Sequence, residues 1–159
     1  MVRTGIGFDS HRFAEGRRLI LGGVTIPYPR GLAGHSDADA LCHAVADALL
    51  GAAAEGDIGS HFPDTDPRWK DACSLDLLRR VAELLRSREF TILNIDATVV
   101  AQEPRLAGHV GDMRANLAAA VDLQAGQVSV KASTAEGMGA LGRGEGIAVQ
   151  AVATIESRD

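Results

Sequence analysis

Cysteine is scarce in this chain. There are two in 159 residues, Cys42 and Cys73, far apart and in no Cys-x-x-Cys. That argues against a thiolate zinc cluster or a dithiol redox motif and leaves both as small packed or surface groups. No apolar run approaches the roughly 20 residues of a membrane span, and no cationic segment followed by an apolar run opens the chain. Excess positive charge is missing too. Sixteen basic against twenty-one acidic residues give a formal net charge of −5, which argues against nucleic acid or an anionic membrane as partner. Internal repeats, low-complexity stretches and linkers are absent. What remains, 46% hydrophobic and 23% charged residues, is the composition of one soluble domain over residues 1–159 with a core of its own. The expected location is cytoplasmic, in a bacterium or an organelle of bacterial type.

Residues 3–12 and about 18–26 alternate and carry β-branched residues, with Glu15-Gly16 between them, and read as a hairpin. Ser36 or Asp37 is expected to cap a helix running to about Ala54, and Ser74 a second to about Arg88. A third helix is expected over 107–120. Strands are expected at 91–101, 127–133 and 146–156, the first with Leu93, Ile95, Ala97 and Val99 on one face. Residues 56–68, rich in Gly, Pro and Asp, read as a long exposed loop, which in a compact domain is often functional. The fold class is α/β (α+β): a mixed sheet of about four strands with helices on one face. The other face, with Ala148, Val152, Thr98 and Ser129, is neither charged enough for open solvent nor apolar enough for a core, a pattern often closed by another subunit.

The chemistry concentrates near the start. Asp9 and His11 lie two apart in a strand, so they share a face with Cα atoms roughly 7 Å apart. Asp39, His43 and Asp47 share one helix face at i, i+4, i+8. Taken alone they read as a solvated polar stripe. Beside Asp9 and His11, His43 reads instead as a metal ligand, with Asp47 or Asp39 accepting the hydrogen bond from its other ring nitrogen. Asp, His and His leave a tetrahedral zinc one open position, the mark of a catalytic site. Asp57, between Gly56 and Ile58-Gly59, suits polyol hydroxyls, whereas Asp66 reads as turn chemistry. Five glycines within residues 137–146, beside Ser133, Thr134, Glu136 and Arg143, offer backbone amides and charge to phosphate. No Gly-Lys-Ser/Thr makes this a Walker loop.

Gly-Phe-Asp-Ser-His at 7–11, His-Ser-Asp-Ala-Asp at 35–39, His43, Gly-Asp-Ile-Gly at 56–59 and Phe-Pro-Asp-Thr-Asp-Pro at 62–67 resemble the 2-C-methyl-D-erythritol 2,4-cyclodiphosphate synthase family. So do Ala-Gln-Glu-Pro-Arg at 101–105, Lys-Ala-Ser-Thr-Ala-Glu at 131–136 and Gly-Arg-Gly-Glu-Gly at 142–146. The resemblance implies a phosphorus–oxygen lyase of the non-mevalonate isoprenoid pathway, in which a 2-phosphate attacks the β-phosphorus of a diphosphocytidyl substrate and CMP leaves. It implies Zn2+ on Asp9, His11 and His43, and a second divalent ion, Mg2+ or Mn2+, with Glu136 and the diphosphate. His35 and Thr134 would stabilise the transition state. Asp57, Ile58 and Gly59 would hold the methylerythritol beside Asp9, His11, His35 and Ser36, with Phe62, Pro63, Asp64, Thr65 and Asp66 closing over it. The cytidine pocket would comprise Ala101, Gln102, Glu103, Pro104, Arg105, Leu106 and Ala107 with Ala132, Ser133 and Thr134; Ala135, Glu136 and Arg143 complete the substrate-binding set. The implied assembly is a homotrimer with sheets facing each other and sites between subunits. Ala140 stands where relatives often carry an aromatic lining the trimer's central cavity. Lys131 is a further local cation for the phosphates. Two other readings stay open: a zinc phosphoesterase whose open metal position holds water, and a non-catalytic trimer that binds a nucleotide or isoprenoid phosphate.

Overall fold

The computed structural model describes residues 1–157. In chain order the strands are β1 (Val2–Ala14), β2 (Leu19–Leu21), β3 (Val24–Ile26), β4 (Gly31–Leu32), β5 (Phe90–Val100), β6 (Val128–Ser133) and β7 (Gly146–Ser157). The helices are α1 (Ala40–Ala53), α2 (Ile58–His61), α3 (Ser74–Ser87), α4 (Val110–Val121) and α5 (Gly139–Gly142). The main sheet has five strands in the order β4-β1-β7-β5-β6. Only β5 and β6 run parallel; the remaining neighbours are antiparallel. The mixed sheet is as expected, and its extra strand is the two-residue β4, too short for periodicity to register.

The expected pairing of residues 3–12 with 18–26 does not form. β1 pairs with the other end of the chain, from Val2 opposite Glu156 to Arg12 opposite Gly146. Residues 19–26 instead close on themselves as the β2–β3 hairpin, turning through Gly22 and Gly23 at φ 56° and 71°. Positive φ at both positions of a two-residue turn suits the twist of a hairpin, and glycine adopts it without strain.

Helices α1, α3 and α4 cover one sheet face, α1 packing on β1 and β7, and α4 on β6. α1 is the central element, with Leu41, Val45, Leu49 and Leu50 fully buried. It comes unusually close to β1 because small residues face each other. A Cβ on Gly7 would lie 1.9 Å from the Ala44 carbonyl oxygen, and one on Gly5 2.1 Å from that of Ala48. This contact sets the distance between the ionisable residues of β1 and those of α1.

Several boundaries differ from expectation. α1 is capped by Asp39, not Ser36 or Asp37. Cys73 occupies the cap position of α3, and Ser74, its first residue, turns its hydroxyl elsewhere. A bulge between Ile92 and Asn94 shifts β5, so that Ile92 is buried in place of Leu93. The 107–120 helix begins as a 3-10 turn at Ala107–His109 before α4. The loop after α1 contains α2 and a 3-10 turn at Pro67–Trp69. On the uncovered sheet face, Ala148 is buried, but Ile6 and Phe8 are each 63% exposed and Val152 38%. Among the described residues no helix is long and apolar enough to cross a membrane.

Candidate metal centre and adjoining cavities

Alternation along β1 points Asp9 and His11 inward, level with the first turn of α1, where His43 projects. One carboxylate oxygen serves both imidazoles: Asp9 Oδ2 lies 2.8 Å from His11 Nε2 and 3.1 Å from His43 Nδ1. The rings stand 5.5 Å apart between centroids and are tilted by 57°. The three donor atoms fall within 4.8 Å of one another, a spacing that one cation between them can span.

The proton positions argue for a cation more strongly than the spacing does. His11 Nδ1 lies 2.6 Å from the Ala33 carbonyl oxygen, which can only accept, so Nδ1 carries the hydrogen. In the neutral ring Nε2 then presents a lone pair to Asp9 Oδ2, 2.8 Å away, with no hydrogen between the two buried atoms. A buried lone pair among a carboxylate and a second imidazole is costly unless something positive meets it. The donor set of two nitrogens and one carboxylate oxygen matches three-ligand catalytic metal sites, so the residues fit a divalent metal. Electrostatics agree. Burial alone would raise the Asp9 carboxyl, but its contacts with His11 and His43 outweigh that and bring its pKa down to about 2. Burial alone would lower His11, yet the neighbouring Asp9 carboxylate holds it above its ordinary value.

Neither Asp39 nor Asp47 supports His43, contrary to expectation. Asp39 is fully buried and accepts from the amides of Gly22 (2.9 Å), Gly23 (2.7 Å) and Cys42 (3.0 Å), tying the β2–β3 turn to the start of α1. Burial pushes its carboxyl above the usual range despite those donors. Asp47 accepts from the Ile58 amide at 2.7 Å, and burial raises it too. His43 Nε2 instead meets the hydroxyls of Ser74 at 2.8 Å and Ser36 at 3.2 Å.

A cavity of about 250 Å³ opens beside the cluster, lined by His11, His35, Ser36 and His43 on one side and by Ile58, Gly59, Phe62 and Asp64 on the other. His35 Nε2 lies 3.2 Å from the Asp66 carbonyl oxygen. Ser36 is buried with its hydroxyl turned toward His43. Asp57 caps α2, and both its bonds, to Ser60 N and Oγ, use Oδ1. Those Ser60 bonds lower its pKa. Asp66 does perform turn chemistry, capping the 3-10 turn and chelating the Arg68 guanidinium. Pro63 and Thr65 belong to the preceding turn, closed by the Asp66 amide on the Pro63 carbonyl, and like Asp57 and Asp66 they do not line the cavity. Trp69 and Leu77 do line it and were missed. Only the distance from the cluster in sequence hid them, since an aromatic after an Asp-Pro turn is a visible signal.

The remaining site residues gather elsewhere. A groove of about 620 Å³ is lined by the continuous run Ala101 to Ala107 on one wall and by Ala132, Ser133 and Thr134 on the other. Tyr28 joins them from the β3–β4 connection, another residue that sequence reading overlooked. Beyond the groove, Thr134 Oγ1 accepts from the Glu136 amide at 3.2 Å and lies 3.4 Å from Glu136 Oε1. Gln102 accepts from the Gly137 amide at 3.1 Å. Ala135 begins the turn that carries Glu136, whose φ of 52° places its backbone in the left-handed region. Arg143 is exposed and paired with Glu145 at 2.8 Å. Lys131 is not free for phosphate, being bonded to Asp96 on the exposed sheet face. Metal cavity and groove share no lining residue. The strands that carry them, β1 and β6, are three sheet positions apart, about 14 Å by ordinary strand spacing.

Comparison with known proteins accounts for this combination of fold and cluster. The chain is 56% identical over 154 residues to 2-C-methyl-D-erythritol 2,4-cyclodiphosphate synthase of Alkaliphilus oremlandii, covering 97% of this chain and 98% of that one. It is 59% identical over 156 residues to the synthase of Salinibacter ruber, covering 98% and 99%. Among solved structures, a 2C-methyl-D-erythritol-2,4-cyclodiphosphate synthase in its CDP-bound form superposes with a TM-score of 0.89 at 37% identity, over 97% of this chain and all of that one. The bifunctional IspDF of Campylobacter jejuni superposes with a TM-score of 0.96 at 43% identity, this chain covering 43% of that longer one. Residues 2–156 match the YgbB family, and with relatives this similar over nearly its whole length the chain belongs to that family, the one that includes the 2-C-methyl-D-erythritol 2,4-cyclodiphosphate synthases.

Proposed function

We propose that this chain cyclises 4-diphosphocytidyl-2-C-methyl-D-erythritol 2-phosphate to 2-C-methyl-D-erythritol 2,4-cyclodiphosphate and CMP, in the non-mevalonate route to isoprenoids. The observation that carries this beyond family membership is the convergence of one donor atom each from Asp9, His11 and His43 within 4.8 Å of one another, with His11 Nε2 buried against Asp9 Oδ2. An oxygen of the 2-phosphate forms a bond to the β-phosphorus, the bond from that phosphorus to the bridging oxygen breaks, and CMP leaves with the electron pair. No side-chain nucleophile is needed, because the substrate carries its own. An ionised phosphate scarcely needs a general base.

Asp9, His11 and His43 would hold Zn2+, and Glu136 would help hold a second divalent ion on the diphosphate. Such ions neutralise and orient phosphoryl oxygens that otherwise repel each other. The protein's own residues contribute placement. Gly59 and Oδ2 of Asp57, which is not used by the helix cap, face the methylerythritol hydroxyls, with Ile58 and Phe62 against its carbon skeleton. His35, whose Nε2 hydrogen goes to the Asp66 carbonyl, and Thr134 would stabilise the transition state of the transferring phosphoryl group. Residues 101–107, with 132–134 opposite, take the cytidine. Orientation of this kind can contribute roughly 7–11 kcal/mol at best.

A substrate with a sugar at one end and cytidine at the other needs both cavities, yet in one chain they lie on strands three positions apart. A homotrimer in which the metal cavity of one subunit meets the groove of the next resolves this. The exposed Ile6, Phe8 and Val152 on the uncovered sheet face supply its apolar contact. Phosphorus NMR of the purified protein with zinc, magnesium and the substrate tests the proposal. CMP and a cyclic diphosphate in equal amounts are expected. Linear hydrolysis products would make it a phosphoesterase, and unchanged substrate on metal-loaded protein would make it a binding module.

A further inference from the structure

His43 is supported differently from His11. The His11 ring is oriented by the backbone carbonyl of Ala33, which directly follows the neighbouring strand β4, whereas His43 is oriented by a side chain from a distant segment. Ser74 Oγ lies 2.8 Å from His43 Nε2 and in very short contact with Asp37 Oδ1. Asp37 is itself immobilised, its carboxylate accepting from the amides of Ser74 (3.0 Å) and Asp39 (3.2 Å). The surrounding backbone is laced together as well: the Asp37 amide donates to the Ala72 carbonyl at 3.0 Å, and the Asp71 amide to that of His35 at 2.9 Å.

We propose that Asp37 and Ser74 are positioning residues of the metal centre, forming a carboxylate–hydroxyl–imidazole relay that presents His43 to the metal through Nδ1. The direction of the relay follows from counting protons. A serine hydroxyl has one hydrogen, and a carboxylate can only accept. The Ser74 hydrogen therefore goes to Asp37, and its oxygen is left to accept from His43. That requires the hydrogen of His43 to sit on Nε2 and leaves Nδ1 as a lone pair facing Asp9 and His11. In many metal sites a carboxylate or carbonyl meets the outer ring nitrogen directly. Here a hydroxyl is interposed, and the carboxylate fixes which way that hydroxyl points. Ser36 adds a second, longer acceptor at 3.2 Å. Ser74 is 1% exposed and supplies no helix-capping bond, so this contact explains why a hydroxyl is kept inside the protein at the start of α3.

The inference rests on the metal centre proposed above, and the test separates the two. Zinc dissociation constants are measured by chelator competition on full-length wild type, Ser74→Ala and Asp37→Asn, beside the melting temperature of each. The wild type is expected to bind zinc, Ser74→Ala to bind it about 10–100-fold more weakly, and Asp37→Asn to be affected less, on the order of tenfold. In the zinc-loaded wild type the His43 Nε2 hydrogen should give an exchange-protected imidazole resonance that Ser74→Ala loses. A wild type that binds no zinc would overturn the centre and the relay together. A Ser74→Ala protein that melts earlier but binds zinc as wild type does, and keeps the protected resonance, would make Ser74 a packing serine and overturn the relay alone. Should Ser74→Ala fail to fold, Asp37→Asn decides. Unchanged zinc affinity in that variant, or a His43 Nε2 hydrogen that exchanges freely in the wild type, would overturn the relay.

Discussion

The metal cavity and the groove are built on opposite principles. Around the cavity, polar side chains are locked. His11 is held by Ala33, His43 by Ser74 and Ser36, and Asp9 by both imidazoles. All three sit where α1 is pressed onto the glycines of β1. The groove is made of a surface segment and the exposed end of an edge strand, with apolar Ala101 and Leu106 at its floor. Gln102 reaches across to the Gly137 amide, but most of what it offers is shape and backbone. Placing a metal and a phosphoryl group demands sub-ångström constancy, which the middle of the fold provides. Holding a nucleoside demands a fitted surface, which an edge can provide. The two regions should therefore fail differently, the first through metal and turnover, the second through substrate affinity.

The harshest break is His43→Ala. Loss of one of three ligands should remove zinc and turnover together. Several kcal/mol of charge stabilisation at the phosphoryl group correspond to about a thousandfold or more in rate. Metal analysis and CMP release on the same sample check it, and full activity would sink the metal assignment. Next comes Gly7→Ala, which touches no ligand. The added methyl would lie 1.9 Å from the Ala44 carbonyl oxygen, so α1 must move off β1. Overpacking of this kind typically costs about 1–3 kcal/mol, and it should also weaken zinc binding by separating His43 from Asp9. Thermal melting with and without zinc measures both; a variant with wild-type zinc affinity would show that the β1–α1 contact does not set the site.

The groove is probed by Ala132→Phe, which places a ring between its walls. Zinc content should stay at the wild-type level while the Michaelis constant rises about tenfold or more, the scale of a hydrophobic misfit in a binding pocket. Steady-state kinetics beside metal analysis checks this. Loss of zinc in the variant would show that the two regions are coupled and would blur the comparison.

Sequence patterning resolved the two regions unequally. Asp9 and His11 were legible because strand alternation is a local rule, and helix spacing put His43 on an ionisable face. The same helix rule misplaced Asp39, because nothing local reveals that the β2–β3 turn delivers two amides to its carboxylate. Ser74 looked like a helix cap for the same reason: its true partners, Asp37 and His43, are more than thirty residues away. The hairpin misreading has a similar origin, since the better partner for β1 is the last strand of the chain. The run from 101 to 107 was legible only through its resemblance to a family. Tyr28, which completes the groove across the fold, carries no motif at all.

The smallest expected effect is on pH, and it sharpens the account of the metal cavity. Zinc needs an unprotonated imidazole, so protons compete with it. Burial would lower the pKa of His11 in the metal-free protein, but Asp9 overrides this and holds it above 6.5. The metal-free protein therefore keeps a proton on His11 to a higher pH than a free imidazole would, and zinc must displace it. Asp9, at about 2, remains a carboxylate throughout the useful range and adds nothing to the competition there. Apparent zinc affinity should thus begin to fall as the pH drops through a midpoint above 6.5, steepening toward at least one proton released per zinc bound below it and flattening above. Chelator competition between pH 8.5 and 6, with proton release followed by calorimetry in buffers of differing ionisation enthalpy, tests this. Affinity that stays flat until the pH is well under 6.5 would mean that Asp9 does not charge His11, and that the carboxylate's role is confined to holding the metal.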